Sequence, residues 1–193
     1  MKPAGLRISS GELKGRRLDV PDGIRPTEQK VREALFSIWT DRLRGAMFLD
    51  LFAGSGAVGI EALSRGALSA TSVEKERPVL AALKRNAAML SPGAMRVLAS
   101  PVEAALDTLR RESAAFDLIF ADPPYSWIPD ASFFAGCRAL LQPAGWMAVE
   151  HSARVTLPEE IEDLVRTDSR RYGESALSFF APPVSEDHFH VHL

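Results

Sequence analysis

The chain has 193 residues, a length typical of one domain of ordinary size. Hydrophobic residues make up 46% of it and charged residues 25%, the balance expected of a globular protein with a core of useful size. No apolar run approaches the roughly 20 residues that cross a bilayer, and the first residues lack a signal-peptide pattern. The single cysteine, Cys137, excludes an internal disulfide and a cysteine-based metal cluster. We therefore expect a cytoplasmic protein with no membrane partner.

The net charge of −2 is unevenly distributed along the chain. Residues 1–32 hold eight Lys or Arg and four acids, so this segment carries +4 and the remainder carries −6. A basic end on an acidic body indicates contact with nucleic acid. A solvated basic surface without a partner would give the same pattern.

The first 45 residues predict an extension made of a hairpin and a helix. Residues 6–18 predict a short β-hairpin with Gly11 in its turn. After a loop rich in turn-forming residues, apolar side chains at helical spacing predict an amphipathic helix from Thr27 through Trp39. Such a helix would pack on the domain that follows.

From Ala46 onward, apolar runs alternate with helical stretches. Strands are predicted over 47–51, 69–74, 95–99, 116–121 and 146–151, and helices over 56–65, 77–90, 102–111 and 132–141. This alternation is typical of parallel βαβ units. Residues 164–181 predict instead two antiparallel strands joined at Tyr172-Gly173. We therefore expect an α/β domain over residues 46–193.

A glycine-rich loop, Gly54-Ser55-Gly56-Ala57-Val58-Gly59, lies between the first predicted strand of this domain and its helix, and Glu74 ends the second strand. Glycines let the backbone approach a ligand closely, and an acid at that position can accept hydrogen bonds from ribose hydroxyls. The pattern predicts a ligand that contains adenosine. By itself it leaves both NAD and S-adenosylmethionine (SAM) open.

Asp50 immediately precedes this loop. A carboxylate there would repel the pyrophosphate of a dinucleotide, which binds to the bare amides of a helix N-terminus. It would attract the ammonium and sulfonium groups of SAM. Asp50 therefore favours SAM over NAD, with a plain turn or capping role as the alternative.

A second motif, Asp122-Pro123-Pro124-Tyr125, follows the fourth predicted strand directly. The carboxyl ends of parallel strands form one ligand-binding edge, so both motifs converge there. The Asp122 carboxylate and the Pro123 carbonyl can accept both N–H bonds of an exocyclic amine and turn its lone pair towards a methyl donor. Pro124 stiffens the loop, and Tyr125 offers a face on which an extruded base can stack. The pair of motifs predicts methyl transfer to a base amine.

Several other chemically versatile residues are assigned structural roles. Cys137 is predicted to be a small core residue, and His151 a structural histidine with satisfied hydrogen bonds. The tail 185–193 contains three alternating histidines, which we interpret as a polar tail, and no metal is assigned.

The segments 25–36 (RPTEQKVREALF), 49–67 (LDLFAGSGAVGIEALSRGA), 73–76 (VEKE) and 117–125 (DLIFADPPY) together resemble the RsmD family. Its members are bacterial methyltransferases that modify the N2 amine of one guanine in small-subunit (16S) ribosomal RNA. The resemblance covers about residues 7–180. It implies a Rossmann-like class I SAM-dependent methyltransferase fold, with a mostly parallel sheet of seven strands, an antiparallel C-terminal hairpin and an N-terminal hairpin and helix.

The resemblance also implies three groups of site residues, on a monomer that acts on 16S rRNA or on the small ribosomal subunit. Cofactor binding is expected at Asp50, Phe52, Ala53, Gly54, Ser55, Gly56, Glu74, Lys75, Ser100 and Val102. The target base is expected at Asp122, Pro123, Pro124 and Tyr125. RNA contacts are expected at Arg7, Lys14, Arg16, Arg17, Arg25 and Thr27.

The chain departs from the family pattern at Pro101, where an Asp or Asn usually meets the adenine amino group. Adenine recognition must then use Ser100, Glu103 or backbone atoms, and the sequence leaves that choice open. Three other functions remain as alternatives: a DNA adenine-N6 or cytosine-N4 methyltransferase, an NAD-binding oxidoreductase, and a silent RNA-binding module. The short chain disfavours the DNA methyltransferase, and Asp50 disfavours the oxidoreductase. The silent module is disfavoured by the intact Asp122 and Tyr125.

Overall fold

A computed structural model describes residues 6–21 and 29–183, and the elements named below lie within those ranges. The helices are α1 (Gln29–Ile38), α2 (Thr40–Leu43), α3 (Ala57–Ser64), α4 (Arg77–Ala87), α5 (Val102–Arg111) and α6 (Ala131–Leu140). The strands are β1 (Met47–Leu51), β2 (Ser69–Val73), β3 (Met95–Leu98), β4 (Phe116–Ala121), β5 (Leu141–Ser152), β6 (Glu160–Ile161), β7 (Leu164–Tyr172) and β8 (Ser175–Ala181).

The described strands form one sheet in the order β3-β2-β1-β4-β5-β8-β7-β6. Strands β1 to β5 pair in parallel, and β5, β8, β7 and β6 pair in antiparallel fashion. The chain runs outward from β1 to β3 and then returns to the other side of β1 as β4. The sheet therefore has a switch point between β1 and β4, where open α/β sheets bind ligands.

Strand residues alternate between two cores, one on each face of the sheet. Leu51 and Val149 pack with residues of α5 and α6. Phe48 and Ala148 pack on the opposite face with residues of α1 and α3. The amphipathic helix predicted before the sheet is thus confirmed as α1, which packs directly on it. None of the described helices is long and apolar enough to cross a membrane.

The sheet of the described residues has eight strands, not the seven that the resemblance implied. The additional strand, β6, is a two-residue edge strand that pairs with the start of β7. Glu162 and Asp163 make the turn between them with positive φ angles of 48° and 56°. A strand of this length has no alternation for a sequence pattern to detect. The predicted C-terminal pair is confirmed as β7 and β8.

The predicted end of the last helix is corrected by one residue, because β5 already begins at Leu141. The predicted helix and strand leave residues 142–145 as a connection, but this segment, with Pro143 and Gly145, is part of β5. Proline is tolerated in a sheet at irregular pairings. The register between β4 and β5 shifts between Phe116 and Leu118, next to this segment.

Residues 6–18 fold back on themselves as predicted, but with one isolated bridge between Arg7 and Arg17 instead of two strands. Gly11 has a φ of +81°, and a Cβ there would lie 1.8 Å from the carbonyl oxygen of Ser64. The turn is therefore pressed against the end of α3. The predicted helix start at Thr27 and the histidine tail lie outside the described residues.

Candidate active site

A cavity of about 520 Å³ opens at the carboxyl ends of the parallel strands, at the switch point of the sheet. Its walls come from loops that follow β1, β2, β3 and β4 and from the end of β5. Residues that line it include Phe52, Ala53, Gly54, Ser55, Glu74, Lys75, Ser100, Pro101, Val102, Glu103, Asp122, Pro123, Pro124, Tyr125, Trp127 and Glu150. The structure thus brings both sequence motifs to one cavity.

The two glycines of the loop after β1 have different functions. Gly54 has a φ of +56°, and a Cβ built there would meet no heavy atom within 4 Å, so its backbone is bare on the cavity side. A Cβ on Gly56, with φ +81°, would lie 2.3 Å from Cδ1 of Leu83. Gly54 therefore suits a close ligand approach, whereas Gly56 lets α4 pack closely and does not line the cavity.

Glu74, at the end of β2, is held in a fixed orientation by backbone amides. One oxygen accepts a hydrogen bond from the N–H of Gly54 at 3.0 Å. The other accepts from the N–H groups of Lys75 at 2.7 Å and Glu76 at 2.8 Å. An acid fixed at the rim of a glycine loop can bind vicinal hydroxyls of a ribose.

Asp50, expected from its place before the glycine loop to face the ligand, does not line the cavity. Its side chain is 1% exposed, and its Oδ2 accepts a hydrogen bond from the N–H of Gly59 in α3 at 3.0 Å. Burial raises the pKa of Asp50 to about 7; the Gly59 N–H opposes the shift, and the charges of Asp122 and Glu74 add to it. The carboxylate therefore lies behind the loop, under α3.

The expected adenine-binding region follows β3. Ser100, Pro101, Val102 and Glu103 all line the cavity, so the three open alternatives for adenine recognition are all present there. Pro101 caps α5, and its carbonyl accepts a hydrogen bond from Ala105 at 3.0 Å. The proline that lacks a side-chain acceptor thus starts a helix at the cavity wall.

The Asp122-Pro123-Pro124-Tyr125 loop continues directly from β4. The N–H of Asp122 donates to the carbonyl of Leu51 at 3.3 Å, which keeps it beside β1. The carbonyl of Pro124 accepts from Trp127 at 2.8 Å and closes a turn. Tyr125 is 46% exposed, and its hydroxyl lies 2.5 Å from Oγ of Ser175. The ring is therefore accessible while its hydroxyl is anchored.

Two further lining residues were not assigned to the site from sequence. The ring centroid of Trp127 lies 5.1 Å from that of Phe52 and 5.0 Å from that of Phe133, so Trp127 forms part of the wall. Glu150, near the end of β5, is 3% exposed. Its signal in the sequence is an acid at the end of an otherwise apolar run, residues 146–150.

The described residues expected to contact RNA lie outside the cavity lining. Arg7, Lys14, Arg16 and Arg17 are all exposed. Their segment packs against α3 through Ile8 and Leu18, which form a small core with Ala57 and Ile60. The remaining two expected RNA contacts, Arg25 and Thr27, lie outside the described residues.

Asn86 in α4 joins this N-terminal segment to the glycine loop. Its Oδ1 accepts from the N–H of Asp19 at 2.8 Å, and its Nδ2 donates to the carbonyls of Asp19 at 2.9 Å and Ser55 at 2.8 Å. The residue is 2% exposed. A buried amide of this kind gives no signal in a single sequence.

Arg32, counted among the basic residues of the N-terminal segment, is directed inward. It is 1% exposed and pairs with the buried Glu61 of α3 at 2.7 Å. Arg65 also pairs with Glu61, at 2.7 Å, and Ser9 donates a hydrogen bond to it. Burial raises the pKa of Glu61, but hydrogen bonds from Ser9, Arg65 and Arg32 outweigh it and leave the pKa below its ordinary value.

The structural roles expected for Cys137 and His151 are confirmed. Cys137 is fully buried, and burial raises the pKa of its thiol. The ring of His151 lies 2.9 Å from Oγ of Ser178 and 3.0 Å from the carbonyl of Ser152. Burial lowers the pKa of His151, which favours the neutral ring.

Known proteins are similar to this chain over most of its length. The Escherichia coli protein named ribosomal RNA small subunit methyltransferase D is 39% identical over 160 residues, covering 82% of this chain and 76% of that one. The solved structure of yhhF from Escherichia coli, titled as a methyltransferase, has a TM-score of 0.80 at 33% identity and covers 91% of this chain and 96% of its own.

A more distant structure shares the fold alone. SMU.776, titled as a methyltransferase complexed with SAH, has a TM-score of 0.66 at 16% identity and covers 82% of this chain and 50% of its own. The family model described as conserved hypothetical protein 95 matches residues 6–181, nearly the whole chain. On this match and on the identity to the Escherichia coli protein, the chain belongs to the RsmD family.

Proposed function

We propose that this protein transfers the methyl group of SAM to the exocyclic N2 amine of a guanine in small-subunit (16S) rRNA. The observation that carries the proposal is the single cavity between the bare glycine loop with Glu74 and the Asp122-Pro123-Pro124-Tyr125 loop. The name of the Escherichia coli relative supports ribosomal RNA as the substrate class. The substrate is naked rRNA or the assembled subunit.

The residues of the glycine loop and its neighbours suit SAM. The bare backbone at Gly54 permits close approach, and the Glu74 carboxylate is oriented for the ribose hydroxyls. Phe52, Ala53, Ser55, Lys75, Ser100 and Val102 complete the proposed binding surface. Asp50 and Gly56, behind that surface, are proposed to hold the loop and α3 in place. When bound, SAM supplies an electrophilic methyl group on a sulfonium.

Residues of the second loop are proposed to hold the target base. The lone pair of a base amine is delocalised into its ring, which makes the nitrogen a poor nucleophile. Asp122 and the Pro123 carbonyl accept its two N–H bonds and favour a more tetrahedral nitrogen. Pro123 and Pro124 preorganise this geometry before the base arrives. Tyr125 stacks on the extruded base.

The exposed basic residues Arg7, Lys14, Arg16 and Arg17 are proposed to grip RNA phosphates. Arg25 and Thr27 are proposed to contact the RNA near the mouth of the active site. Residues 1–45 then form the RNA-contacting extension, and residues 46–193 the methyltransferase domain. We further propose that the protein acts as a monomer in the cytoplasm.

The test is a methyl-transfer assay with radiolabelled SAM on three substrates: small subunits lacking the modification, naked 16S rRNA, and DNA. Label in subunits or rRNA, released as N2-methylguanosine after digestion, is the expected result. Label only in DNA as N6-methyladenine or N4-methylcytosine would instead establish the DNA methyltransferase alternative. Binding of NADH without any methyl transfer would establish the oxidoreductase alternative.

A further inference from the structure

Glu150 is an acid in the cavity that neither motif explains. It lies near the end of β5, is 3% exposed, and lines the same cavity as the glycine loop and the Asp122 loop. Carboxylates are rarely buried to this extent in proteins, and an ionisable group buried in a cleft marks a candidate functional position.

Glu150 lies within β5, beside Asp122, which directly follows β4. Strands β4 and β5 are parallel, with Ala121 opposite Val149, so Asp122 and Glu150 are the next residues along neighbouring strands. Such strands lie about 4.8 Å apart. Val149 points into the core formed with α5 and α6, and Ala148 into the opposite core. Because side chains alternate, Glu150 lies on the same face as Ala148.

The position beside the proposed amine site matters because of the chemistry of the bases. In guanine, the ring nitrogen N1 next to the N2 amine carries a hydrogen and is a donor. In adenine and cytosine, the ring nitrogens next to the amine are acceptors. An ionised carboxylate only accepts hydrogen bonds, so it attracts a ring N–H and repels a ring nitrogen with an exposed lone pair.

We propose that Glu150 selects guanine by accepting the hydrogen bond of N1–H, while Asp122 and the Pro123 carbonyl hold the N2 amine. This inference rests on the proposed function, since it takes the base amine to be held at Asp122. Glu150 is then the residue that distinguishes guanine from the other amino bases, and the Asp122 loop serves the amine common to all of them. Reading the Watson–Crick edge of a flipped base is a general means of base selection.

The first test uses the wild-type protein alone. Small subunits are assembled with 16S rRNA that carries either guanine or 2-aminopurine at the mapped target position. 2-Aminopurine keeps the exocyclic amine but has neither a hydrogen on N1 nor the O6 carbonyl, so the change of preference in Glu150→Gln is what isolates the N1 contact. Loss of a hydrogen bond to a charged acceptor predicts that kcat/KM falls about 10- to 150-fold with 2-aminopurine. Equal methylation of both bases would overturn the inference while leaving the proposed function intact.

The second test uses Glu150→Gln, whose amide can donate to the bare N1 of 2-aminopurine. We expect the preference for guanine over 2-aminopurine to fall about tenfold or more in this variant. Glu112→Gln, an exposed change at the far end of α5, should keep the wild-type preference. Retained SAM binding in calorimetry verifies the fold of each variant. If Glu150→Gln does not fold, the comparison of the two bases with the wild-type protein still tests the inference.

The outcomes separate the two proposals. If wild type labels guanine and a folded Glu150→Gln keeps the full guanine preference, this inference is wrong and the methyl transfer stands. If wild type labels neither base in subunits or rRNA, the proposed function fails and the role of Glu150 fails with it.

Discussion

At the scale of single residues, Asp50 shows how a motif acid can lie behind a site instead of in it. Its position just before the glycine loop predicts a contact with the ligand, and the residue does lie next to that loop, at the end of β1. Its carboxylate nevertheless bonds to the N–H of Gly59 and is buried under α3. Side-chain direction at a strand end depends on the register of the sheet, which a motif does not report.

Asp50 should make folding stability depend on pH. Its pKa of about 7 in the folded protein is above the value near 4 of an unfolded chain, so the folded state binds this proton more tightly. The resulting stabilisation is complete below about pH 4 and is lost as the pH rises through 7. Between pH 5.5 and pH 8, we expect this group to lower the free energy of unfolding by about 2 kcal/mol.

Urea unfolding of wild type and Asp50→Asn at both pH values measures this contribution. The asparagine oxygen keeps an acceptor for the Gly59 N–H but does not titrate, so other groups cancel in the difference. As the pH rises, the free energy of unfolding of the variant should increase relative to that of wild type. A difference between the two proteins that stays constant from pH 5.5 to pH 8 would show that Asp50 does not titrate there.

At the scale of elements, buried polar contacts hold the N-terminal segment, α1 and α3 together. Glu61 of α3 accepts hydrogen bonds from Arg32 of α1, from Ser9, and from Arg65, which caps α3. These contacts give a structural reason for the block at residues 25–36, which carried the resemblance to the family. Part of that block positions the extension. Arg32 is buried, so it is not one of the exposed basic residues available to RNA.

Replacing Arg32 with methionine should lower the free energy of unfolding by about 3 kcal/mol, because it leaves a buried carboxylate with fewer partners. Chemical denaturation measures the change. Arg110→Met is the matched control, since Arg110 and its partner Asp107 are both 65% exposed. The control should change stability by less than about 1 kcal/mol. Equal effects of the two substitutions would mean that the buried pair contributes nothing beyond a surface pair.

At the scale of the whole molecule, the excess of basic residues near the N-terminus forms an exposed basic surface beside the sheet that bears the cavity. Arg7, Lys14, Arg16 and Arg17 are exposed on a segment that packs on α3 and is bonded to α4. Because α3 starts at the glycine loop and Asn86 also bonds Ser55, this surface is physically connected to the proposed cofactor site.

Replacing these four residues by glutamine should weaken binding to 16S rRNA and reduce its salt dependence. Each lost phosphate contact lowers the slope of log K against log salt by about 0.7 to 0.9, so four contacts predict a decrease of about 3. A control protein with Arg110, Arg111, Arg170 and Arg171 replaced has the same net charge change on other exposed positions. Equal slopes in the two proteins would remove the proposed role of the N-terminal segment.

The sequence predicted the periodic parts of this molecule and missed the parts that depend on three-dimensional neighbours. The alternation of apolar runs located β1 to β4 and α5 closely, and β5 without its first five residues, because burial on both faces leaves a strong pattern. The packing role of Gly56 and the inward direction of Arg32 depend on partners far along the chain, whereas strand β6 is too short to leave a pattern. Glu150 was missed for the same reason, since only the pairing of β5 with β4 places it beside Asp122.

The central claim is that Asp122 holds the N2 amine of guanine during methyl transfer. Its most direct test is nucleoside analysis of 16S rRNA after reaction with wild type and with Asp122→Asn, both shown to bind SAM. Wild type should yield N2-methylguanosine. The variant should form it at a rate at least about 100-fold lower, as expected when a positioned electrostatic contact is lost. An Asp122→Asn protein that forms N2-methylguanosine at the wild-type rate would contradict the account.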